Sequence, residues 1–401
     1  MNCTLKGCDR LNVSQAFSLE TKPNATQGVA LGYAVTPLRG EHKNLAPATP
    51  TLFHLIPMSI PPPHLAFDPT AARVERELKH GKPLIGCRFD PSGRFLFVTA
   101  EDDTVQRFDV STGAKTALVG HTSWARGLAF IRGADAKAFT LVSADYHGTL
   151  IWWDGAADAP KPLRTVPAHD GWARAVAVSP DGKTVASCGN DNAVKLWAAD
   201  GTALRTLDGH ASHVYNVAFS PDGLRLVSCD LKGVVKDWNL KTGKCERDLD
   251  AKVLYKYDAG FMADIGGARG MAFKADGSAV ALCGITNVSN AFAGVGNPAV
   301  VLIDWKSGAA KVLKPKEAFQ GTAWGVGFHP SGAVIAGGGG GQGRVWFWKN
   351  DEPVGVHTLN VPANVRDLAL SPAGDRFAAA AANGTAYVYT FTGDAPAPAK
   401  K

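Results

Sequence analysis

Arg126, Arg174, Arg269 and Arg366 stand at one recurrent place in this 401-residue sequence: each precedes by four positions an apolar residue that opens a tight turn. Ile85, Tyr215 and Trp324 hold the same place in the three other copies, and Trp124, Trp172 and His213 stand two positions earlier in theirs. A guanidinium stays charged at every relevant pH, and its planar fork suits carboxylates and phosphates. Neighbouring indoles supply apolar contact or a face on which it stacks. If the fold gathers these positions, the chemistry is anion recognition. Four guanidinium groups in one place repel one another, so something compensates: an anionic ligand on one reading, turn carboxylates such as Asp102 and Asp191 or hydration on the other.

Other chemistry finds less support. No nucleophile elbow, phosphate-cradling loop, zincin helix or kinase phrase occurs. Residues 337–343, Gly-Gly-Gly-Gly-Gly-Gln-Gly, lack a following Lys-Ser or Lys-Thr and read as a flexible hairpin loop. Of the seven cysteines, Cys3 and Cys8 are the closest pair, with no second pair or nearby His to complete a zinc site. Cys87, Cys188, Cys229 and Cys283 fall in apolar stretches, as small buried hydrophobes do. No metal and no cofactor are expected, and scattered thiols point to a reducing cytoplasm. The balance of 42 basic and 36 acidic residues, net +6, is too mild and dispersed for a nucleic-acid footprint. No apolar run is long enough to cross a membrane, and residues 1–30 lack the basic-then-apolar pattern of a secretory leader.

The elements that position the arginines are short strands. The composition holds 44 Gly, 24 Pro and 10 Trp with 45% apolar residues, which favours many tight turns around a buried core. One phrase recurs: Phe89-Asp-Pro-Ser-Gly93, Val178-Ser-Pro-Asp-Gly182, Phe219-Ser-Pro-Asp-Gly223, Phe273-Lys-Ala-Asp-Gly277, Phe328-His-Pro-Ser-Gly332, Leu370-Ser-Pro-Ala-Gly374 and a degenerate Phe130-Ile-Arg-Gly133. Its spacings of 41, 48, 41, 54, 55 and 42 residues fit one four-stranded antiparallel unit per copy. Within each unit the strands are lettered a to d, the phrase forming the a–b turn.

His80, His121, His169 and His210 each precede their phrase by nine positions, two of them as Gly-His, and strand c ends in Trp-Asp or a variant of it, as at Trp153-Asp154. These marks resemble the WD-repeat (WD40) family. The resemblance covers residues 72–391 and implies an all-β, seven-bladed β-propeller of four-stranded antiparallel blades. The last unit stops at strand c, while Val74-Glu-Arg-Glu-Leu78 resembles the strand d of the fourth unit, so an N-terminal strand is expected to complete the last blade and close the ring. Residues 1–71, rich in Pro, are expected to form an extended or disordered arm, with Met58 an alternative start, and residues 392–401 a tail.

In that family a His, a strand-b Ser or Thr, a turn Asp and the strand-c Trp form a structural tetrad. Here His169, Ser187, Asp191 and Trp197 are expected to supply it whole, whereas His147 and Lys232 replace the turn Asp in the second and fourth blades. The resemblance also puts the start of strand a at the mouth of a central channel, so Arg126, Arg174, Tyr215, Arg269, Trp324, Arg366, Trp124, Trp172 and His213 become the partner-binding candidates. Two long connections, residues 251–267 and 285–296, are expected as loops on that same face. The implied role is a non-enzymatic scaffold, cytoplasmic, holding a protein or peptide that is acidic or phosphorylated. An enzyme acting on an anionic small molecule, with His213 as its local candidate, and a nucleic-acid-binding propeller are the alternatives.

Overall fold

The computed structural model of the chain describes residues 67–135, 138–290, 295–349 and 352–392. The expected arm up to residue 66, Cys3, Cys8, Met58 and the tail from 393 lie outside the described residues. Seven four-stranded antiparallel sheets and one two-stranded hairpin make up the fold. The fourth blade shows how sequence makes a blade. Its strands are Val214–Phe219, Arg225–Asp230, Val234–Asn239 and Lys244–Asp250, the second buried along nearly its whole length and the last largely exposed at the outer edge. At the first turn Gly223 takes φ +71°, Ser220 Oγ donates to Asp222, and the Gly223 N–H returns to the Ser220 carbonyl. The inward residues pack between blades: Ala186, Leu196, Val217, Leu226 and Trp238 share one core across blades 3 and 4.

Closure follows the expected route. Strand Arg73–Lys79 pairs antiparallel with Thr385–Thr390, the strand c of the last blade, and completes a sheet with Arg376–Ala381 and Val365–Leu370. The pairing removes two open strand edges at once. Just upstream, Pro69–Ala71 forms a single 3-10 turn capped by Asp68. The Phe67 ring is wedged 4.5 Å from His329 and 5.3 Å from Phe391, on the face opposite the channel mouth.

The tetrads correct the sequence reading. Blade 3 has the expected one: Trp197 donates to Ser187 Oγ, Ser187 bonds His169 Nε2, and His169 Nδ1 bonds Asp191 at 2.9 Å. Blades 2 and 4 also have it, through His121–Ser143–Trp153 with Asp145 at 2.8 Å and His210–Ser228–Trp238 with Asp230 at 3.0 Å. Here the carboxylate comes from the last residue of strand b, two places after the serine, not from the turn. In blade 3 that place is Gly189, so the later Asp191 serves instead. In each relay the indole donates, the serine hydroxyl and the imidazole both accept and donate, and the carboxylate accepts, so every buried member has a partner.

Two further expectations change. Most of residues 251–267 is 3-10 turn or strand, and the described parts of 285–296 are strand. Tyr255–Asp258 and Ala263–Gly266 pair as a hairpin, and strands b and c of blade 5 run on as Ala279–Asn290 and Val295–Asp304. Ile265, Ile285 and Val288 form a small core between these hairpins, and Lys256 Nζ donates to the Val288 carbonyl. The stretch 337–343 is mostly strand as well: Gly337 to Gly339 end Val334–Gly339 and Gly343 opens Gly343–Trp348. A Cβ on Gly338 would stand 2.1 Å from the Thr322 carbonyl oxygen, so these glycines serve close backbone approach.

A feature absent from the sequence reading ties the blades at their outer edge. Arg76 donates to the Ser111 carbonyl, Arg164 to Asp200, and Arg247 to Trp305 and Lys306, each from strand d to the c–d turn of the next blade. In each case the arginine stands two positions before an apolar residue of strand d, a regularity visible in Arg76-Glu-Leu78 and Arg247-Asp-Leu249.

Candidate functional site

Six of the seven innermost strands carry a bulge at the same place. The ladder passes from Leu84 to Gly86, Ala125 to Gly127, Ala173 to Ala175, Val214 to Asn216, Ala323 to Gly325 and Val365 to Asp367. The skipped residues are Ile85, Arg126, Arg174, Tyr215, Trp324 and Arg366. A bulge re-aims its extra side chain out of the pleat. In blade 5 Arg269 lies just ahead of strand Gly270–Phe273, its N–H donating to the Cys283 carbonyl at 2.7 Å.

All seven of these side chains line one cup at the channel mouth, together with Trp124, Trp172, Glu101, Tyr146 and Asn364. The cup encloses about 710 Å³, counting the solvent at its open rim. His213 is not among its lining residues; its carbonyl accepts the Leu231 N–H. Sequence reasoning missed Glu101, Tyr146 and Asn364. Glu101 and Tyr146 directly follow strand b, and their N–H groups bond the Pro83 and Trp124 carbonyls two places before a mouth residue. The same count from strand b would have found them.

The cationic and aromatic groups alternate. The Arg174 guanidinium carbon lies 4.3 Å from the ring centres of both Trp172 and Tyr215. Arg269 lies 5.2 Å from Tyr215 and 5.1 Å from Trp324, whose ring also holds Arg126 at 5.8 Å. Tyr146 stacks on Trp172 at 4.0 Å and tilts against Trp124. Eight side chains from blades 2 to 6 therefore form one continuous stack, and Arg126 returns it to the blade it began on. To reach Trp324, Arg126 crosses from blade 2 to blade 6, and its Nη2 donates to the Arg269 carbonyl at 3.4 Å. Arg126 thus joins blade 2 to blades 5 and 6, an arrangement the count along strands could not foresee.

Charge in the cup is unbalanced. Its described lining carries four arginines and one carboxylate, Glu101, a formal +3. Glu101 pairs with Arg366. The carboxylates expected from the sequence are engaged elsewhere, Asp102 by His80 and Asp191 by His169 and Lys195. Arg174 Nε donates to Asn190 Oδ1 at 2.8 Å. Arg126 and Arg269 form no ion pair among the described residues, and Arg269 Nε and Arg366 Nε are buried without a partner there. Burial pulls the Arg269 pKa down, with the Arg174 and Arg126 guanidiniums adding to the effect.

What the ring, the relays and the repeated turn define together is a repeat β-propeller with a basic, aromatic axial cup. Residues 160–198, 201–238 and 354–390, each running from strand d of one blade through strands a to c of the next (blades 3, 4 and 7), match the family described as WD domain, G-beta repeat. The matched stretches carry WD repeats, and they sit in a seven-bladed β-propeller ring. It is similar to Nuclear distribution protein PAC1 of Arthroderma benhamiae, 32% identical over 133 residues covering 31% of this chain and 28% of that protein. It is also similar to human WD repeat and SOCS box-containing protein 1, 32% identical over 28% of this chain and 26% of the relative. Protein transport protein SEC13 of Chaetomium globosum is 29% identical over 26% of this chain and 39% of its own length. The matched stretches thus span well under half of these relatives.

Proposed function

We propose that the propeller is a non-enzymatic interaction module that holds an anionic segment of a partner protein in the cup. The observation that carries this reading is the surplus of guanidinium over carboxylate on a rigid ring whose parts are positioned before any partner arrives. A preformed rim loses little ordering entropy on binding. The family likeness to proteins named for nuclear distribution and protein transport supports a scaffold role over a catalytic one. Cytoplasmic residence fits the free buried thiols of Cys87, Cys188, Cys229 and Cys283.

The test is affinity capture with the native chain beside an Arg126→Gln/Arg269→Gln variant, followed by titration of the captured partner at several salt concentrations. The native chain should bind with clear salt sensitivity, and the variant should lose about tenfold or more in affinity together with most of that sensitivity. Equal affinity in both chains would remove the cup as the binding site.

A further inference from the structure

We propose that the hairpin tip of blade 5, with Tyr257, Phe261 and Met262, is a second, apolar contact for the polypeptide whose acidic segment enters the cup; the proposal rests on the reading of the cup as an anion site. Among the described residues, only blade 5 overruns the rim. In the other six blades strand b ends on the residue paired with the first residue of strand a, as Ala100 pairs with Leu84 and Asp230 with Val214. In blade 5 the first residue of strand a, Gly270, pairs with Cys283, yet strand b runs seven residues further, to Asn290. At the rise of an extended chain this adds a ridge of about 20 Å above the mouth. The hairpin Tyr255–Asp258 and Ala263–Gly266 leans on that ridge through Ile265, which packs with Ile285 and Val288, and through Lys256 Nζ on the Val288 carbonyl. Tyr255 Oη donates to Asp264 at 2.6 Å and so ties the two strands together. The root of the hairpin is the cup wall: Gly266 and Gly267 turn the chain at φ +110° and +79°, and Arg269 follows two residues later.

This braced mount holds an apolar tip in water. Tyr257 and Phe261 are more than half exposed, and Met262, at 80%, is the most exposed large apolar side chain among the described residues. Asp258 fixes the turn by accepting the Gly260 and Phe261 N–H groups, and Met262 is held at φ +50°, a conformation costly for a residue with a Cβ. Exposed apolar residues scattered singly are ordinary, but three within six positions on a rigid projection make a patch. Charge selects what covers it. Two copies joined tip to tip would bring two basic cups together, and like charge disfavours that pairing. Residues 251–267 hold two Lys and two Asp, without the basic surround that draws a loop to anionic lipid. A polypeptide carrying carboxylates is attracted by the cup beside the tip and meets both surfaces at once. Seven residues separate Met262 from Arg269, so their Cα atoms lie within about 24 Å, and an extended partner places its apolar side chain within about seven residues of its carboxylates.

A phage-displayed library of random twelve-residue peptides, selected on the full chain, supplies the probe. The enriched peptides should combine Asp or Glu with Phe, Trp, Leu or Met at that spacing. A synthetic peptide of the enriched sequence, titrated by fluorescence anisotropy, should bind a Phe261→Ser/Met262→Ser variant about tenfold more weakly with an unchanged salt dependence, whereas Arg126→Gln/Arg269→Gln should flatten the salt dependence. Both substituted tip residues are exposed, so the tip variant should keep the native melting temperature. Acidic peptides enriched without an apolar preference, or equal affinity of the native and tip-variant chains, would overturn the apolar contact and leave the cup standing. Apolar peptides enriched without acidic residues would overturn the cup reading and the joint site with it, and a library that enriches nothing would overturn both. Sedimentation showing a native dimer that the tip variant loses, or binding to phosphatidylserine vesicles that it loses, would replace the partner polypeptide by a second copy or a lipid surface.

Discussion

Replacing Arg269 by Met takes one charge out of the crowded side of the cup without emptying its space. The Arg174 and Arg269 guanidinium carbons lie 4.3 and 5.2 Å from the centre of the same Tyr215 ring, so at most about 9.5 Å separates them. Through Trp324, at 5.8 and 5.1 Å, Arg126 and Arg269 lie within about 10.9 Å. Like charges ~10 Å apart at an effective dielectric of about 30 repel by roughly 1 kcal/mol, so the two neighbours destabilise the free protein by about 2 kcal/mol. Losing two partly exposed cation–π contacts offsets about 0.5 kcal/mol each. The variant should therefore be more stable than the native chain by about 1 kcal/mol. For a propeller of roughly 320 residues that is a melting temperature about 1.5 °C higher. Thermal melts with chloride exchanged for phosphate at fixed ionic strength read both halves of the account. If phosphate binds with a Kd of about 1 mM, 20 mM of it stabilises the native chain by about 1.8 kcal/mol, close to 3 °C, and leaves Arg269→Met nearly unmoved. A variant that melts below the native chain in chloride, or that gains as much from phosphate, refutes the claim that this guanidinium is held against repulsion to receive an anion.

Four further outcomes concern the scaffold. Asp145→Ala leaves His121 and the His147 and Thr149 N–H groups without their acceptor, so urea denaturation should show a loss of about 3 kcal/mol, where an optional tetrad would give under 1. Burial works against the charge on Asp145 and Asp191, but hydrogen bonds from His121 and His169 prevail and hold both carboxyls below the usual carboxylate range. Their stabilisation is thus complete above about pH 4 and lost as pH falls through their folded values; urea midpoints taken from pH 7 to pH 3 should drop more steeply for the native chain than for Asp145→Asn, and parallel curves would contradict this. Gly338→Ala should destabilise by about 2–3 kcal/mol, because its Cβ meets the Thr322 carbonyl, whereas Gly341→Ala, with open space around it, should stay within about 0.5 kcal/mol. Equal effects at the two glycines would show that the run is a loop after all. In blade 4, Asp237→Ala removes the buried carboxylate shared by Arg225 and Arg247, which keep Glu246 and the Trp305 and Lys306 carbonyls, and the same denaturation measurement should report a loss of about 1–3 kcal/mol.

The sequence carried the architecture because the architecture is repetitive. A Pro-Asp-Gly phrase needs a tight turn wherever it falls, and seven copies at blade spacing leave few other ways to bury the flanking apolar residues. The mouth was legible for the same reason: four places before each phrase is one structural position, whether Arg126 or Ile85 fills it. Pairing between blades was not legible. That Arg126 crosses the bore to Trp324, and that Glu101 takes Arg366 while Asp102 takes His80, depends on side chains brought together by ring closure. The tetrads of blades 2 and 4 were misread for a local reason. The turn positions hold His147 and Lys232, but Asp145 and Asp230 reach the imidazoles of their blades from the end of strand b. The hairpin Tyr255–Asp258 and Ala263–Gly266 was hidden by its shortness, since four residues carry too little alternation to distinguish a strand from a loop.

The most direct measurement is a crystal of the full chain soaked in selenate, with data collected at the selenium edge. One dominant anomalous peak should appear in the cup, within hydrogen-bonding distance of the Arg126 and Arg269 guanidiniums, and should be lost in the Arg126→Gln/Arg269→Gln variant. Selenate bound only at the outer surface, with the cup holding water alone, would contradict it.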